Sequence, residues 1–206
     1  MVSIITTVYD RVACLRRCIR SVDRLAFADI EHIIVSDAPA AAVVDEIAAI
    51  VSAAGGPAAR RRYLNLPERR QDWGISPALD GLRASRGEYV CFLSDDNAYL
   101  PDHFGPLVAA LDADADLGFA YSSCLYAGRK ELRYAPPQGA RIDLGQPLFR
   151  RSALLEADLE AVRGSFAWDW EVIHRLMARG VRWQHVDHTT FVFRLEAYPH
   201  LVEALA

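Results

Sequence analysis

Hydrophobic positions in the first half of the chain fall in blocks that switch between the period of a strand and the period of a helix. Residues 2–8 (VSIITTV) are dominated by β-branched side chains and predict a strand. Val12, Leu15, Ile19 and Val22 then recur at helical spacing. Arg11, Arg16, Arg17, Arg20 and Arg24 lie largely off that stripe, which predicts an amphipathic helix with a solvated basic face. Residues 30–36 predict a second strand ending at Asp37, and Val43, Val44, Ile47, Ile50 and Val51 mark a helix closed by Gly55, Gly56 and Pro57. A third strand is expected over 62–66 and a polar loop over 67–73. Ser76 and Pro77 have the character of an N-cap and a first helical residue, with Gly87 just past the expected helix end at Arg86. Residues 89–93 (YVCFL) are too short a run for a helix and predict a buried interior strand.

Beyond Pro101 the alternation loosens. A short helix is expected over 106–111, a strand over 117–126, and a return strand over 131–134 across a turn at Gly128. Residues 135–147 hold three prolines and two glycines and read as a loop, of a length that usually serves function. A helix follows over 152–161. Trp170, Ile173, Leu176 and Met177 line one face of another, which stops at Gly180; residues 189–193 make a last strand, and LVEALA a short amphipathic tail. Four strands with helical crossovers give an α/β fold whose central sheet is mostly parallel and covered by helices on both faces.

The apolar run at 89–93 ends abruptly in Asp95, Asp96 and Asn97. Open α/β sheets bind ligands beyond the carboxyl ends of their strands, so acids placed there face a ligand. Two adjacent carboxylates repel, and a divalent cation bound through oxygen, Mg²⁺ or Mn²⁺, keeps both ionised and in turn holds phosphates. A solvated turn is the plain alternative, since Asp and Asn favour loops. Arg11 lies close enough to a strand end to touch a phosphate.

Length and composition narrow the partners. With 206 residues, 52% of them apolar, the chain suits one sizeable core and a single domain. A net charge of −4 removes the basic field that nucleic acid or an acidic membrane surface calls for. No segment has the apolar length to cross a bilayer, and the N-terminus runs into a strand without a signal-peptide pattern, so the expected location is cytoplasmic. Cys14, Cys18, Cys91 and Cys124 lack zinc spacing and read as reduced core thiols. The sequence leaves the oligomeric state open, a homodimer included.

The ordered set VSIITTVYDR, IIVSDAP, GISPALDGLRASRGEYVCFLSDDNAYLPDHF and WDWEVIHRLMARG resembles the family 2 glycosyltransferases with the GT-A fold over residues 2–180. The resemblance implies a Rossmann-like nucleotide-sugar half over 1–97 and an acceptor half over 98–206. It implies that Thr7 and Tyr9 frame and stack on the base, that Asp37 accepts a base N–H, and that Arg69 and Arg70 pass near the diphosphate. Asp96 matches the metal ligand, with Asp95 at the ribose or the metal shell, and Ser94 stands where many members have a first Asp. Asp169 matches the general base, with Trp168 in place of the acid that often precedes it; an Asp in a first helical turn is favoured by the backbone in any case. Trp168 and Trp170 could wall an acceptor, although Trp170 fits the apolar stripe of its helix. His185 and His188 are candidates for a further metal or phosphate contact, with a simple hydrogen-bonded role as the alternative.

The implied reaction transfers a sugar from a nucleotide-sugar donor, UDP favoured and GDP or TDP allowed, to the hydroxyl of a carbohydrate or small-molecule acceptor. It inverts the anomeric centre and uses Mn²⁺ or Mg²⁺. Sugar nucleotidyltransferases carry a glycine-rich loop where this chain has TTVYDR, and no G-x-G-x-x-G follows any strand, which disfavours a dehydrogenase. A non-catalytic nucleotide or sugar binding protein on the same scaffold is the serious rival.

Overall fold

The computed structural model describes residues 1–53, 61–126, 130–132 and 135–205. The expected features at Gly55, Gly56, Pro57 and Gly128 lie outside them. β1 (Val2–Val8), β2 (Ile30–Ser36), β3 (Arg61–Asn65) and β4 (Tyr89–Ser94) are parallel in the order β3-β2-β1-β4. They are joined by α1 (Val12–Asp23), α2 (Ala41–Ser52) and α3 (Ile75–Ala84). There follow β5 (Ala98–Tyr99), α4 (Phe104–Ala113), β6 (Leu117–Tyr126), β7 (Lys130–Leu132), β8 (Pro147–Arg150) and α5 (Arg151–Glu156). A 3₁₀ turn (Leu159–Val162), α6 (Trp168–Ala178), β9 (Arg182–Phe193), a second 3₁₀ turn (Leu195–Ala197) and α7 (Pro199–Ala204) complete the chain.

One sheet runs through both halves in the order β3-β2-β1-β4-β8-β6-β9-β5, with β7 beside β6. β8 is antiparallel to both β4 and β6, so the sheet turns mixed beyond the four-stranded parallel block. Successive residues of the central strands feed opposite faces, as the two-residue period requires. Ile4, Cys91 and Leu93 pack with Phe104 and Leu107 on one side, and Ile5, Val90 and Phe92 with Ile75, Leu79 and Leu82 on the other. Burial on both faces explains why β4 is continuously apolar from Tyr89 to Leu93.

Several boundaries differ from the sequence expectation, each for a local reason. Ser76 is not an N-cap; it lies in the first turn of α3, and its N–H and hydroxyl donate to the Asp72 carboxylate at 3.1 and 2.6 Å, so Asp72 does the capping. Gly87 is not a helix terminator, because α3 ends at Ala84 and Ser85 is extended. A Cβ at Gly87 would sit 2.6 Å from Ser3 Oγ and 2.8 Å from Ser3 N, so the glycine permits a close crossing over β1. Buried Glu31 fastens that crossing by accepting from Ser3 Oγ at 2.5 Å and from the Arg86 N–H at 2.6 Å. The helix expected over 152–161 breaks at Asp158, whose φ is 50°. The strand expected over 189–193 begins at Arg182, since Trp183 and His185 pack against Tyr121 while Gln184 faces solvent, a half-exposed pattern that hides a strand among polar residues.

Candidate active site

A cleft of about 530 Å³ opens at the carboxyl ends of β1, β2 and β4 and is lined by Thr7, Tyr9, Arg11, Asp37, Arg69, Trp73, Ser94 and Asp95 among others. The crossing point of a parallel sheet therefore gathers residues 30 to 90 positions apart in the sequence. The Asp37 N–H donates to Val8 O at 3.1 Å, extending the β1–β2 ladder by one residue. Its carboxylate accepts the backbone N–H groups of Arg70 at 2.8 Å and Gln71 at 3.2 Å. Asp37 thus anchors the loop that precedes α3. Arg69 lays its guanidinium carbon 3.8 Å from the centroid of the Tyr9 ring, a cation–π contact covering one face of that ring. The Arg70 side chain points elsewhere and pairs with Glu68 at 3.4 Å; only its backbone reaches Asp37.

Asp95 is buried, with its side chain 2% exposed, and Arg11 answers it. The Arg11 Nη2 donates to Asp95 Oδ1, its Nε to Asp95 Oδ2 at 3.2 Å, and its Nη1 to Asp96 Oδ2 at 2.6 Å. One guanidinium bridges both acids. An unpaired carboxylate at that depth would cost several kcal/mol. Burial pushes the Asp95 carboxyl up to about 7, with Arg11 drawing it down and Asp96 adding to the rise. Burial disfavours the Arg11 charge, but the two carboxylates outweigh it and raise its pKa further above the usual arginine value. Asn97 turns the chain after the acids: its Oδ1 accepts the Arg194 N–H at 2.9 Å, and Asp96 O accepts from Leu195 N at 2.9 Å.

A second cavity of about 210 Å³ shares Thr7, Trp73 and Ser94 with the first and adds Asp143, Phe166, Trp168 and Asp169. Asp169 is half-buried in the first turn of α6, where its Oδ1 accepts the Trp170 N–H at 2.7 Å and burial raises its pKa. Asp143, which sequence reasoning missed, lines this cavity and, together with Asp169, a further one of about 180 Å³. Its Oδ1 accepts the Gly145 N–H at 2.7 Å; a Cβ at Gly145 would lie 2.2 Å from Phe191, so the loop can press onto β9 only with glycine there. Burial pushes Asp143 up to about 7, with the charges of Asp169 and Asp96 adding to the rise. A usable signal existed: Asp143 is the only acid in the loop over 135–147, and it stands between Ile142 and Leu144.

Trp73 and Phe166 form an edge-to-face pair at 4.9 Å on the rim of this cavity, although they are 65% and 77% exposed. Trp73 (φ 60°) and Gln71 (φ 54°) hold left-handed backbone, a costly conformation for bulky residues that clusters at ligand sites. Arg163 ties the two aromatic segments by donating to Ser76 Oγ and lying 3.6 Å from Asp72. Trp168 Nε1 donates to Trp73 O at 3.2 Å, whereas Trp170 packs over Gly139 and against the core.

The two histidines are not brought to the acids. His188 Nε2 lies 3.0 Å from Asp102 Oδ2, and His185 Nε2 lies 3.0 Å from Ser123 Oγ; neither lines the cleft. Among the described residues no three His, Cys, Asp or Glu side chains gather as a metal site. Asp95 and Asp96 nevertheless offer the hard oxygen donors that suit Mg²⁺ or Mn²⁺, a cation class that uses one or two carboxylates and completes its shell with substrate phosphates. The donor set fits such an ion, with Arg11 now occupying the carboxylate oxygens. No described helix is long and apolar enough to cross a membrane, and all four cysteines are free.

This arrangement of sheet, acid-tipped β4 and flanking cavities is the GT-A architecture. The family model for glycosyl transferase family 2 matches residues 3–173, and the chain belongs to that family. Among solved structures it is similar to S. aureus TarS residues 1–349 in complex with UDP, at 12% identity and a TM-score of 0.73, covering 99% of this chain and 64% of that one. It is likewise similar to the mannosyltransferase PcManGT from Pyrobaculum calidifontis in complex with GDP-Man and Mn²⁺, at 17% identity and a TM-score of 0.75, covering 94% of this chain and 56% of that one. The chain thus spans less than two thirds of these relatives' length. No curated protein matches it in sequence.

Proposed function

We propose that the chain is an inverting glycosyltransferase that moves a sugar from a nucleotide-sugar donor to an acceptor hydroxyl, with Asp169 as general base. The observation that carries this is the shared wall Thr7, Trp73 and Ser94, which joins the cleft of Asp37, Arg11 and Asp95 to the cavity of Asp169. A nucleoside diphosphate seated in the first places its sugar at the mouth of the second. Residues 1–97 would bind the donor and 98–206 the acceptor. The structures of TarS with UDP and UDP-GlcNAc and of the mannosyltransferase with GDP-Man support a nucleotide-sugar donor, UDP being favoured.

In this reading Thr7 and Tyr9 frame the base and Asp37 accepts its N–H with the lone pairs its two backbone bonds leave free. Arg69 lies on the diphosphate path. Asp96 and Asp95 would hold a divalent cation, whose chemistry is to offset negative charge growing on the departing diphosphate. Asp169 takes the proton of an acceptor hydroxyl approaching the sugar from the opposite face, and its raised pKa makes it a better base than a solvated carboxylate. Trp73, Phe166 and Trp168 wall the sugar.

The Arg11 bridge favours one second reading, a nucleotide-sugar binding protein without transfer, because the acids already have their counter-charge. Thermal-shift measurement with UDP, GDP and TDP and their sugars, with and without Mn²⁺, tests the common part of both readings. A ligand at ~100 times its dissociation constant adds about 2.7 kcal/mol of stability. No shift with any of them removes nucleotide binding from the chain.

A further inference from the structure

We propose that Arg11 is an internal counter-cation that competes with the divalent cation for the Asp95 and Asp96 carboxylates and, once displaced, turns its guanidinium to the donor diphosphate. The inference rests on the metal site proposed above. Arg11 takes both oxygens of Asp95 and Oδ2 of Asp96, three of the four oxygens the pair can offer. A hard cation coordinating at about 2.1 Å needs those same atoms. Both oxygens of Asp95 are taken, so a cation held by the two carboxylates together requires the guanidinium to leave. Arg11 is half-exposed, lines the 530 Å³ cleft and precedes α1 without capping it through its side chain, and among the described residues its guanidinium hydrogen bonds all go to the two acids. Freed, it stays charged and offers a planar fork that matches phosphate oxygens as well as it matched carboxylates.

The consequence is coupling. Without nucleotide, the cation must displace an internal ion pair and binds weakly; with nucleotide present, Arg11 gains a new partner and displacement becomes favourable. By reciprocity the cation must raise nucleotide affinity by the same factor. Arg11 would thus keep the buried Asp95 compensated in the empty protein and release the site only when donor and cation arrive together.

The test is Mn²⁺ binding without nucleotide, read by electron paramagnetic resonance of free Mn²⁺, in the wild type, Arg11→Gln and Asp96→Asn. The proposal expects Arg11→Gln to bind Mn²⁺ at least tenfold more tightly than the wild type, Asp96→Asn to lose binding, and UDP affinity at saturating Mn²⁺ to fall about tenfold in Arg11→Gln. Equal Mn²⁺ affinity in wild type and Arg11→Gln, with loss in Asp96→Asn, overturns the competition and leaves the metal site standing. Absence of Mn²⁺ binding in every protein overturns both. Metal-independent UDP binding that disappears in Arg11→Gln makes Arg11 a permanent substitute for the cation and also overturns the proposal. If removing the charge beside Asp95 unfolds the variant, the wild type decides: the Arg11 Nε–H proton resonance, assigned by its loss in Arg11→Lys, must shift when Mg²⁺ and UDP are added together. An unmoved resonance at saturation refutes displacement.

Discussion

Replacing Asp143 by asparagine should make the protein more stable in alkali and leave it unchanged in acid. Burial pushes the native carboxyl up to about 7, against about 3.9 in the unfolded chain. A carboxyl whose folded pKa lies above its unfolded value contributes stability that is fully present below the unfolded pKa and lost as pH rises through the folded one. A difference of about three pKa units corresponds to ~4 kcal/mol at most, and the partial exposure of Asp143 brings the expected effect to roughly 2 kcal/mol. Asparagine cannot ionise, and its carbonyl still accepts the Gly145 N–H. Urea unfolding of wild type and Asp143→Asn between pH 4 and 8.5 should therefore give coincident stabilities at the acid end. The variant should gain by roughly 2 kcal/mol towards the alkaline end. Asp95 declines with pH in the same sense, so the difference between the two proteins, rather than the wild-type curve, carries the test. A difference that is independent of pH, or a variant weaker in alkali, refutes the reasoning that Asp143 is a costly charge beside Asp169 and Asp96.

Three further substitutions probe separate parts of the cleft. Asp37→Ala should weaken UDP binding more than it alters Mn²⁺ affinity, and should also loosen the loop at Arg70 and Gln71, which calorimetry and hydrogen exchange of those amides would show. Asp96→Ala should keep its fold and lose the metal-dependent part of nucleotide stabilisation in thermal-shift measurements; unchanged metal dependence removes Asp96 from the site. Trp73→Ala removes one half of an exposed aromatic pair, so calorimetry should show nucleotide-sugar affinity reduced by about 1 to 2 kcal/mol with UDP affinity changed much less.

The parallel half of the fold was legible because both faces of β1, β2 and β4 are covered, which leaves an unbroken apolar run in β4 and blocks dominated by β-branched residues in β1 and β2. The mixed half was not. β5 is two residues long, β8 sits at the edge of a proline-rich loop, and the first half of β9 alternates Trp183 and His185 with solvent-facing Gln184, so none announces itself by hydrophobicity. Thr7, Asp37 and Asp95, the donor-side candidates, were placed together for the same reason as the strands: they fall at or just beyond strand ends and line one cleft, where open α/β sheets put ligands. His188 carried no positional signal beyond its chemistry, and the structure pairs it with Asp102. Arg11 read as part of a solvated basic face, close enough to a strand end to touch a phosphate, because sequence spacing cannot show that a residue 84 positions away has a buried carboxylate in need of a partner. Asp143 escaped because it lies in a loop, where position in the site depends on packing of Gly145 against Phe191 and not on any period.

Sugar transfer at the junction of the two cavities is decided by release of nucleoside diphosphate from a panel of UDP-, GDP- and TDP-sugars, measured in wild type and Asp169→Asn with Mn²⁺ and an array of sugar acceptors. Asparagine retains the oxygen that accepts the Trp170 N–H, so folding and donor binding should persist. Loss of a positioned general base lowers transfer by ~10²–10⁴, or roughly 3 to 5 kcal/mol of barrier. Release by the wild type should depend on acceptor, and Asp169→Asn should release at least a hundredfold less at equal donor affinity. Tight donor binding with no release by the wild type on any acceptor, or release by Asp169→Asn within a few-fold of the wild type, would contradict this reading.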